Sequence, residues 1–288
     1  MTPAASIDLH MHSTASDGVL EPAALVEHAR RCGVDWMALT DHDTTDGLAD
    51  AAAASRRLGM GFVPGIEISA DWRGRSVHVL GLAIDPAAAA IRDGVALLAA
   101  ERRRRAGEIA RRLDAAGAPG TEILDRLGET AGPPTRTHFA RALAEAGMVR
   151  SLSEAFERYL GRGRPAAVTS RWPALPAAVS WILAAGGVAV LAHPLRYMLS
   201  GGGRRELAAA FRSAGGAGIE VVCGGSSAAQ VEQAVSLAQR TGLAGSVGSD
   251  FHDPRVPWNP PGRLAKLPGR VPAIWDGPAP ALPLPEPA

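Results

Sequence analysis

The sequence has little of what crosslinked, membrane-embedded or nucleic-acid-coating proteins need. It contains two cysteines, Cys32 and Cys223, with no CxxC spacing, so we expect free thiols in a reducing compartment. No stretch approaches the length of a membrane span, and the first residues lack a basic segment followed by an apolar run; both features favour a soluble, cytoplasmic protein. Lys and Arg number 30 against 29 Asp and Glu, which argues against a DNA- or membrane-coating surface.

Aromatic residues are also scarce, at 5% of a chain that is 47% hydrophobic. The core must therefore be built mainly from aliphatic side chains. A length of 288 residues suits one large α/β domain, or one domain with a sizeable insertion.

Short apolar runs alternate with helical patterns along most of the chain, which is typical of parallel βα units. We expect seven strands, the first at Ile7 and the others at residues 34–40, 61–68, 76–84, 188–192, 218–223 and 244–248. The alternation stops in the middle of the chain, where only helical patterns occur. We therefore predict a barrel formed by residues 1–85 and 173–276, a helical insertion at 86–172 that caps the barrel mouth, and a mobile Pro-rich tail at 277–288.

The first strand carries a pattern of alternating Asp and His residues. In I-D-L-H-M-H, Asp8, His10 and His12 alternate with apolar residues, so both imidazoles leave the strand on the same face. Two neighbouring histidines with carboxylates before and after them can begin a metal site. Taken alone, the pattern would equally fit an edge strand with two solvated histidines.

Further histidines and carboxylates stand at or near other predicted strands. Singly, each could be a surface or core residue, but the strands of a parallel barrel deliver their ends to one face. Nine candidate ligands are too many for one ion, so we expect two or three divalent ions, with Mn preferred and Zn or Fe as alternatives. The candidates are His10, His12, Asp17, His42, Glu67, His78, His193, Asp250 and His252.

Six motifs occur in a fixed order between residues 7 and 255: H-M-H-S-T-A-S-D-G, T-D-H-D-T, P-G-I-E-I-S, V-H-V-L-G, A-H-P-L-R-Y and G-S-D-F-H. Together they resemble the PHP (polymerase and histidinol phosphatase) family, in its branch of small bacterial phosphoesterases. The resemblance implies a distorted seven-stranded TIM-like barrel, in agreement with the strand count above.

The resemblance also implies which ligands bind which ion. His10, His12, Glu67 and Asp250 would hold one ion, and Glu67 would bridge to a second ion held by His78 and His193. The third set is Asp17, His42 and His252. Some relatives carry a histidine at the position of Asp17, so the occupancy of the third site depends on this aspartate.

Such a cluster supports phosphoester hydrolysis, in which a hydroxide bridging two ions attacks phosphorus in line. The third set, together with Arg196, would assist catalysis, because the leaving oxygen needs stabilisation or a proton. Arg196 lies three residues after His193 and could also clamp phosphate with two parallel hydrogen bonds.

Four further residues are candidates for substrate contacts. The resemblance of T-R-T-H-F-A-R to a motif of the branch suggests Arg136 and His138, although Arg136 could equally be a surface residue. Glu220 could touch a nucleoside or form an interior ion pair. Asp43 could be a general acid or the N-cap of the next helix.

The expected activity is that of a metal-dependent phosphomonoesterase on small nucleotides, such as the 3′-phosphate of nucleoside 3′,5′-bisphosphates. The alternative is a 5′-to-3′ exoribonuclease on short oligonucleotides. A histidinol-phosphate phosphatase and a non-catalytic metal-binding module are weaker alternatives. A C–N amidohydrolase also shares the H-x-H start, but Lys266, the only lysine, follows the last strand and could not carry a bridging carbamate. We expect no membrane association, and no protein partner is evident.

Overall fold

Seven strands form one sheet whose spatial order follows the order of the chain. The structure is a computed structural model, and it describes residues 5–128, 132 and 134–276. The strands are β1 (Ile7–Asp8), β2 (Trp36–Leu39), β3 (Gly61–Trp72), β4 (Arg75–Leu82), β5 (Val188–Leu191), β6 (Gly218–Cys223) and β7 (Ala244–Gly248).

The first and last strands meet, so the sheet closes into a barrel. The Leu9 amide donates to the Val247 carbonyl at 3.0 Å, and the Asp250 amide donates to the His10 carbonyl at 2.8 Å just beyond the strand ends. The prediction of a seven-stranded α/β barrel is confirmed.

One strand runs against the expected direction. β4 is antiparallel to both of its neighbours, β3 and β5, whereas the sequence pattern predicted parallel units throughout. The hairpin turns at Arg73 and Gly74, both at positive φ. Because β4 runs backwards, its first half lies at the same end of the barrel as the carboxyl ends of the parallel strands.

Helices separate most of the strands and form the middle of the chain. They are α1 (Pro22–Arg31), α2 (Leu48–Leu58), α3 (Ala89–Ala115), α4 (Gly120–Leu127), α5 (Arg136–Glu145), α6 (Leu152–Ala155) with a π-helical turn (Phe156–Leu160), α7 (Leu175–Ala184), α8 (Gly201–Ser213) and α9 (Ala228–Thr241).

The boundaries of α9 follow from the residues at its ends. The Ser227 hydroxyl accepts from the Gln230 amide while the Gln230 side chain accepts from the Ser227 amide, a capping box that satisfies two donors of the first turn. The helix stops at Gly242, which adopts the left-handed conformation that costs glycine least.

The chain divides into two compact units: Met1–Val95 together with Pro173–Ala288, and Ala96–Trp172. This division falls ten residues after the predicted start of the insertion at 86. The first unit contains the barrel core, which includes Leu9, Leu80 and Val190; the second has its own core around Phe139 and Leu143. The predicted tail at 277–288 lies outside the described residues, and the capping position of the insertion remains a prediction.

The barrel core can be tested at Leu80, which is fully buried on β4. Leu80→Ala should lower the free energy of unfolding by about 2–5 kcal/mol, because it removes buried methyl groups and leaves a cavity. Urea denaturation followed by circular dichroism measures this change. The matched control is Leu97→Ala on α3, where the side chain is 65% exposed and we expect a change within about 0.5 kcal/mol. Equal effects at the two leucines would contradict the assigned core.

Candidate metal centre

The segment that follows β1 places two imidazoles in the barrel interior. Leu9 and Met11 are fully buried in the apolar core, and His10 and His12 between them are also fully buried. Their Nε2 atoms lie 3.0 Å apart. Two ligand atoms at about 2.1 Å from one ion and at right angles to each other would be about 3.0 Å apart, so the pair has the spacing of neighbouring ligands of a cation.

The other predicted ligands reach this end of the barrel from several strands. His42 follows β2, Glu67 lies within β3, His78 lies near the start of the reversed β4, and His193 follows β5. The remaining candidates, Asp17, Asp250 and His252, lie on the segments after β1 and β7.

Glu67 is the central residue of this group and is fully buried. Its Oε1 lies 2.9 Å from His78 Nδ1 and 3.0 Å from His193 Nε2. Its Oε2 lies 2.8 Å from His42 Nδ1 and 3.3 Å from the Nε2 atoms of His10 and His12. The two oxygens therefore face different sets of histidines.

Several of these close approaches are not hydrogen bonds. Within the described part of the chain, Glu67 Oε2 and His42 Nδ1 have no partner with acceptable hydrogen-bond geometry, although they are only 2.8 Å apart. Buried polar atoms are normally satisfied. An ion bound by both atoms would satisfy them.

Among the residues that the structure describes, three groups of ligand atoms lie close enough to hold an ion, each group within 4.8 Å. They are His10, His12, Glu67 and Asp250; His42, Glu67 and His78; and His12, Asp17, His42 and His252. The first is the set expected for one ion. The third group adds His12 to the expected set. The second group contains His42 in addition to the expected Glu67 and His78. His193, the other ligand expected in that set, approaches Glu67 Oε1, as His78 does. Mixed imidazole and carboxylate donors of this kind fit divalent metal ions.

Two of the ligand-bearing residues adopt strained backbone conformations. His193 has φ 28° and Asp250 has φ 54°, values that non-glycine residues rarely adopt. The Asn259 amide group donates to the Asp250 carbonyl at 2.9 Å, and the His193 amide donates to Glu220 at 2.6 Å. These bonds hold the two residues in conformations that direct their side chains toward the site.

The charges of the site depend on one another. Burial raises the pKa of Glu67, but His42, His10 and His78 more than offset this and hold it well below its usual range. Burial lowers the pKa of His12, but the neighbouring carboxylates of Asp250 and Glu67 outweigh it and raise the pKa to about 10. For His42 burial prevails, and the pKa falls to about 4. Without a metal, protonated imidazoles thus balance the buried carboxylates.

Loading the site with metal should therefore release protons. At pH 7 His12 is protonated in the metal-free protein, since its pKa lies near 10, and an imidazole must be neutral to bind a metal ion. Titration calorimetry with Mn²⁺ in two buffers of different ionisation enthalpy should give at least one proton released per chain. Metal affinity should rise as the pH rises from 6 to 9. A release of zero protons at pH 7 would contradict this charge balance; His28→Gln, outside the cluster, is the control and should behave as wild type.

A layer of hydrogen bonds supports the ligands. Asp41 accepts from the Ser13 amide at 2.8 Å and from the hydroxyls of Ser13 and Ser16 at 2.6 and 2.5 Å. Ser16 Oγ lies 3.5 Å from His12 Nδ1. Asp8 accepts from the Ser249 amide at 2.8 Å and so ties β1 to the segment that carries Asp250.

Glu220 belongs to this supporting layer. It is 1% exposed; Oε1 lies 2.9 Å from His10 Nδ1, and Oε2 accepts from the His193 amide at 2.6 Å. Gly248 permits this arrangement, because a Cβ there would lie 2.3 Å from His10 Cβ and 2.5 Å from Glu220 Oε1. Both Glu220 oxygens have partners within the protein, as in the interior alternative, and the contact with a nucleoside remains a prediction.

The role of Glu220 can be separated from substrate binding. Glu220→Gln should weaken metal binding by about 10- to 100-fold, because a carboxylate that accepts from a ligating imidazole fixes its tautomer and orientation. Competition with a chromophoric chelator measures the affinity, and circular dichroism verifies the fold. Unchanged metal affinity combined with a raised KM would instead support the nucleoside contact.

Arg196 and Asp43 also lie at the site. Arg196 donates from Nη1 to Asp250 Oδ2 and from Nη2 to the Gly224 carbonyl at 3.1 Å, and its side chain is 43% exposed. Asp43 is buried, and its Oδ1 accepts from the Ser69 amide at 2.6 Å. The N-cap reading of Asp43 is wrong, because α2 starts later and Gly47 is its N-cap.

Arg136 and His138 belong to the second compact unit, at the start of α5. His138 Nδ1 accepts from the Thr135 amide at 3.0 Å, and the Thr135 hydroxyl accepts from the His138 amide at 3.4 Å, so His138 caps its own helix. The Arg136 guanidinium lies 5.6 Å from the Phe156 ring centre. A role of either residue in substrate binding remains a prediction.

Sequence reasoning missed two residues that hold the site. Tyr197 accepts from the His78 amide at 2.8 Å and donates to the Ala192 carbonyl at 3.1 Å. Asn259 holds Asp250 as described above. Asn259 lies in no pattern that signals a role. Tyr197 ends the A-H-P-L-R-Y motif, which places it near His193 but does not indicate its contacts.

Comparison with known proteins adds independent information. Residues 8–111 match the PHP domain. A 3′,5′-nucleoside bisphosphate phosphatase of Chromobacterium violaceum is 41% identical over 272 residues, which cover 94% of this chain and 95% of the relative. A 5′-3′ exoribonuclease of Haemophilus influenzae is 41% identical over 270 residues, covering 93% of this chain and 97% of the relative.

Two solved structures are similar throughout. One, described as an amidohydrolase from C. violaceum with bound sulfate and no metal, has a TM-score of 0.88 at 41% identity and covers 94% of this chain and 95% of its own. The other, described as a metal-dependent phosphoesterase from Bifidobacterium adolescentis, has a TM-score of 0.78 at 31% identity, covering 94% and 93%.

Among the described residues, the helices are all too short or too polar to span a membrane.

Proposed function

The chain belongs to the PHP domain family and is a metal-dependent phosphoric ester hydrolase, and we propose that it acts on small nucleotides. The substrate class that we favour is a phosphomonoester such as the 3′-phosphate of a nucleoside 3′,5′-bisphosphate. The relative from C. violaceum, named as a phosphatase of such compounds, supports this choice.

The observation that carries the proposal is the position of Glu67 between two sets of histidines, with Oε1 near His78 and His193 and Oε2 near His10, His12 and His42. A carboxylate in this position suits two adjacent divalent ions, since it can bind both and offset their charge. Such ions lower the pKa of water and neutralise phosphate oxygens. The C–N chemistry of an amidohydrolase has no comparable support, because no lysine lies among these residues.

We assign roles to the ligands as follows. One ion would be held by His10, His12, Glu67 and Asp250, a second by Glu67, His78 and His193, and a third by Asp17, His42 and His252. We propose Mn as the metal, with two ions essential and the third dependent on Asp17.

Other residues of the chain would handle the phosphate and the leaving group. We assign to the half-exposed Arg196 guanidinium the nonreacting phosphate oxygens, because its fork can form two parallel hydrogen bonds with them. We assign to His252, whose Nε2 lies 3.2 Å from Asp17 Oδ1, the stabilisation or protonation of the leaving oxygen. Residues 86–172 would cap the mouth and bring Arg136 and His138 to a second phosphate, and a cytoplasmic location remains part of the proposal.

A 5′-to-3′ exoribonuclease is the second candidate, favoured by the relative of that name from H. influenzae. The net charge of +1 argues for a small substrate, because long RNA usually requires a basic track. The Mn-loaded protein should be offered adenosine 3′,5′-bisphosphate and a 5′-phosphorylated trinucleotide. We expect faster phosphate release from the bisphosphate; rapid mononucleotide release from the trinucleotide, with no phosphate from the bisphosphate, would reverse the ranking. Glu67→Gln should abolish both activities and so exclude a contaminant.

The third ligand set can be tested at Asp17. Asp17→Asn should lower turnover at least roughly 10-fold and remove one metal per chain while two remain, since an amide binds a cation more weakly than a carboxylate. Metal analysis by mass spectrometry after desalting measures the stoichiometry. Asp35→Asn, in an exposed ion pair with Arg30, is the control. Loss of all metals together would refute the division among the three sets.

A further inference from the structure

One tryptophan is exposed on the segment that follows β7. Trp258 is 66% exposed, whereas the other five tryptophans are buried or half-buried. Single apolar side chains are common on protein surfaces, so exposure alone indicates nothing about function. Trp258 is of interest because of its position beside the segments that carry Asp250 and contact Arg196.

The backbone at Trp258 is held beside a candidate metal ligand by a hydrogen bond of the neighbouring residue. The next residue, Asn259, is 8% exposed, and its side chain donates to the carbonyl of Asp250 at 2.9 Å. The loop is therefore held by the main chain of a candidate metal ligand. This buried hydrogen bond fixes the main chain next to Trp258 beside the segment that carries Asp250.

The indole also lies against the strand-end loop that holds the candidate phosphate clamp. A Cβ at Gly225 would lie 3.3 Å from Trp258 Cδ1, so the ring packs over the bare backbone of this glycine. The adjacent Gly224 carbonyl accepts from Arg196 Nη2 at 3.1 Å, and the same guanidinium donates to Asp250. The Trp258 segment therefore contacts Asp250 through Asn259, and it contacts the Arg196 loop through Gly224 and Gly225.

A nucleotide has two parts that suit this arrangement. Its phosphate carries negative charge that Arg196 and the metal centre would bind, while its base has an apolar face that stacks on aromatic side chains regardless of base identity. Gly224 allows the Trp258 loop to pack closely here, because a Cβ at this glycine would lie 2.5 Å from Asn259 Cβ. The large exposed fraction of Trp258 shows that the protein itself covers only part of the ring.

We propose that Trp258 is the stacking platform for the nucleobase of the substrate. This inference rests on the proposed function, because it requires a nucleotide whose phosphate is bound at the metal centre. Trp258 would then distinguish nucleotides from sugar phosphates that carry no base. It would contact substrate and leave the chemistry to the ligands described above.

Binding can be tested without turnover. Adenosine 5′-phosphate together with inorganic phosphate, the products of the proposed reaction, should quench part of the tryptophan fluorescence when added to the Mn-loaded protein, and ribose 5-phosphate with inorganic phosphate should not. The quenching should persist in Trp275→Phe, a substitution of the same type at the half-buried Trp275 outside the site, and should disappear in Trp258→Phe. Quenching that survives in Trp258→Phe, or no quenching in the wild type, would overturn the proposal.

Kinetics then test the consequence for specificity. In the Mn-loaded enzyme, Trp258→Ala should lower kcat/KM for adenosine 3′,5′-bisphosphate by about 10-fold or more, mainly through KM, and leave kcat/KM for ribose 5-phosphate within about 2-fold. Trp258→Phe should retain most of the activity on the bisphosphate, because phenylalanine still stacks. Equal losses on both compounds, or no loss on either, would contradict a stacking role.

The proposed function and the stacking role of Trp258 can be refuted separately. If the wild type released no phosphate from the bisphosphate, the proposed function would be wrong, yet the fluorescence titration would still show whether the base lies on Trp258. If phosphate were released at equal rates by wild type and Trp258→Ala, the proposed function would stand and the stacking platform would fall.

Discussion

The Glu67 carboxylate is fully buried and lies within 3.3 Å of imidazole nitrogens from five histidines. An isolated buried carboxylate is very unfavourable, so the surrounding residues must supply positive charge. In the metal-free protein this charge comes from protonated imidazoles such as His12, whose pKa is raised to about 10. Divalent ions would replace those protons. The same electrostatic requirement thus explains both the stability of the site and its affinity for metal.

The barrel satisfies this requirement by bringing ligands from many strands to one end. The reversal of β4 is part of the solution, because it puts His78 opposite Ser69, two residues from Glu67 on β3. Beneath the ligands, Glu220 links His10 to the main chain at His193, and Asp8 links β1 to Ser249. Replacing one of these buried groups would therefore disturb ligands on more than one strand.

Much of this organisation could be predicted from the sequence, because strand ends in a barrel share one face and local periodicity identifies strands. The bounds of β6 and β7 agree with the predicted 218–223 and 244–248. The antiparallel β4 was missed because the pattern of apolar residues was used alone; the seven residues between the predicted strands 61–68 and 76–84 are too few for a parallel crossover and indicate a hairpin. β3 extends to Trp72, beyond the predicted 68, because its second half pairs with β4. The contact of Glu220 with His10 was also beyond prediction, because it joins residues 210 positions apart in the sequence.

Metal binding at this site depends on Glu67 holding two ions, one through each carboxylate oxygen. A crystal structure of the Mn-loaded protein, with anomalous differences recorded at the manganese edge, tests it most directly. We expect two anomalous peaks on either side of Glu67, one within bonding distance of Oε1 and near His78 and His193, the other within bonding distance of Oε2 and near His10 and His12. A single peak, or two peaks that both avoid Glu67, would contradict it.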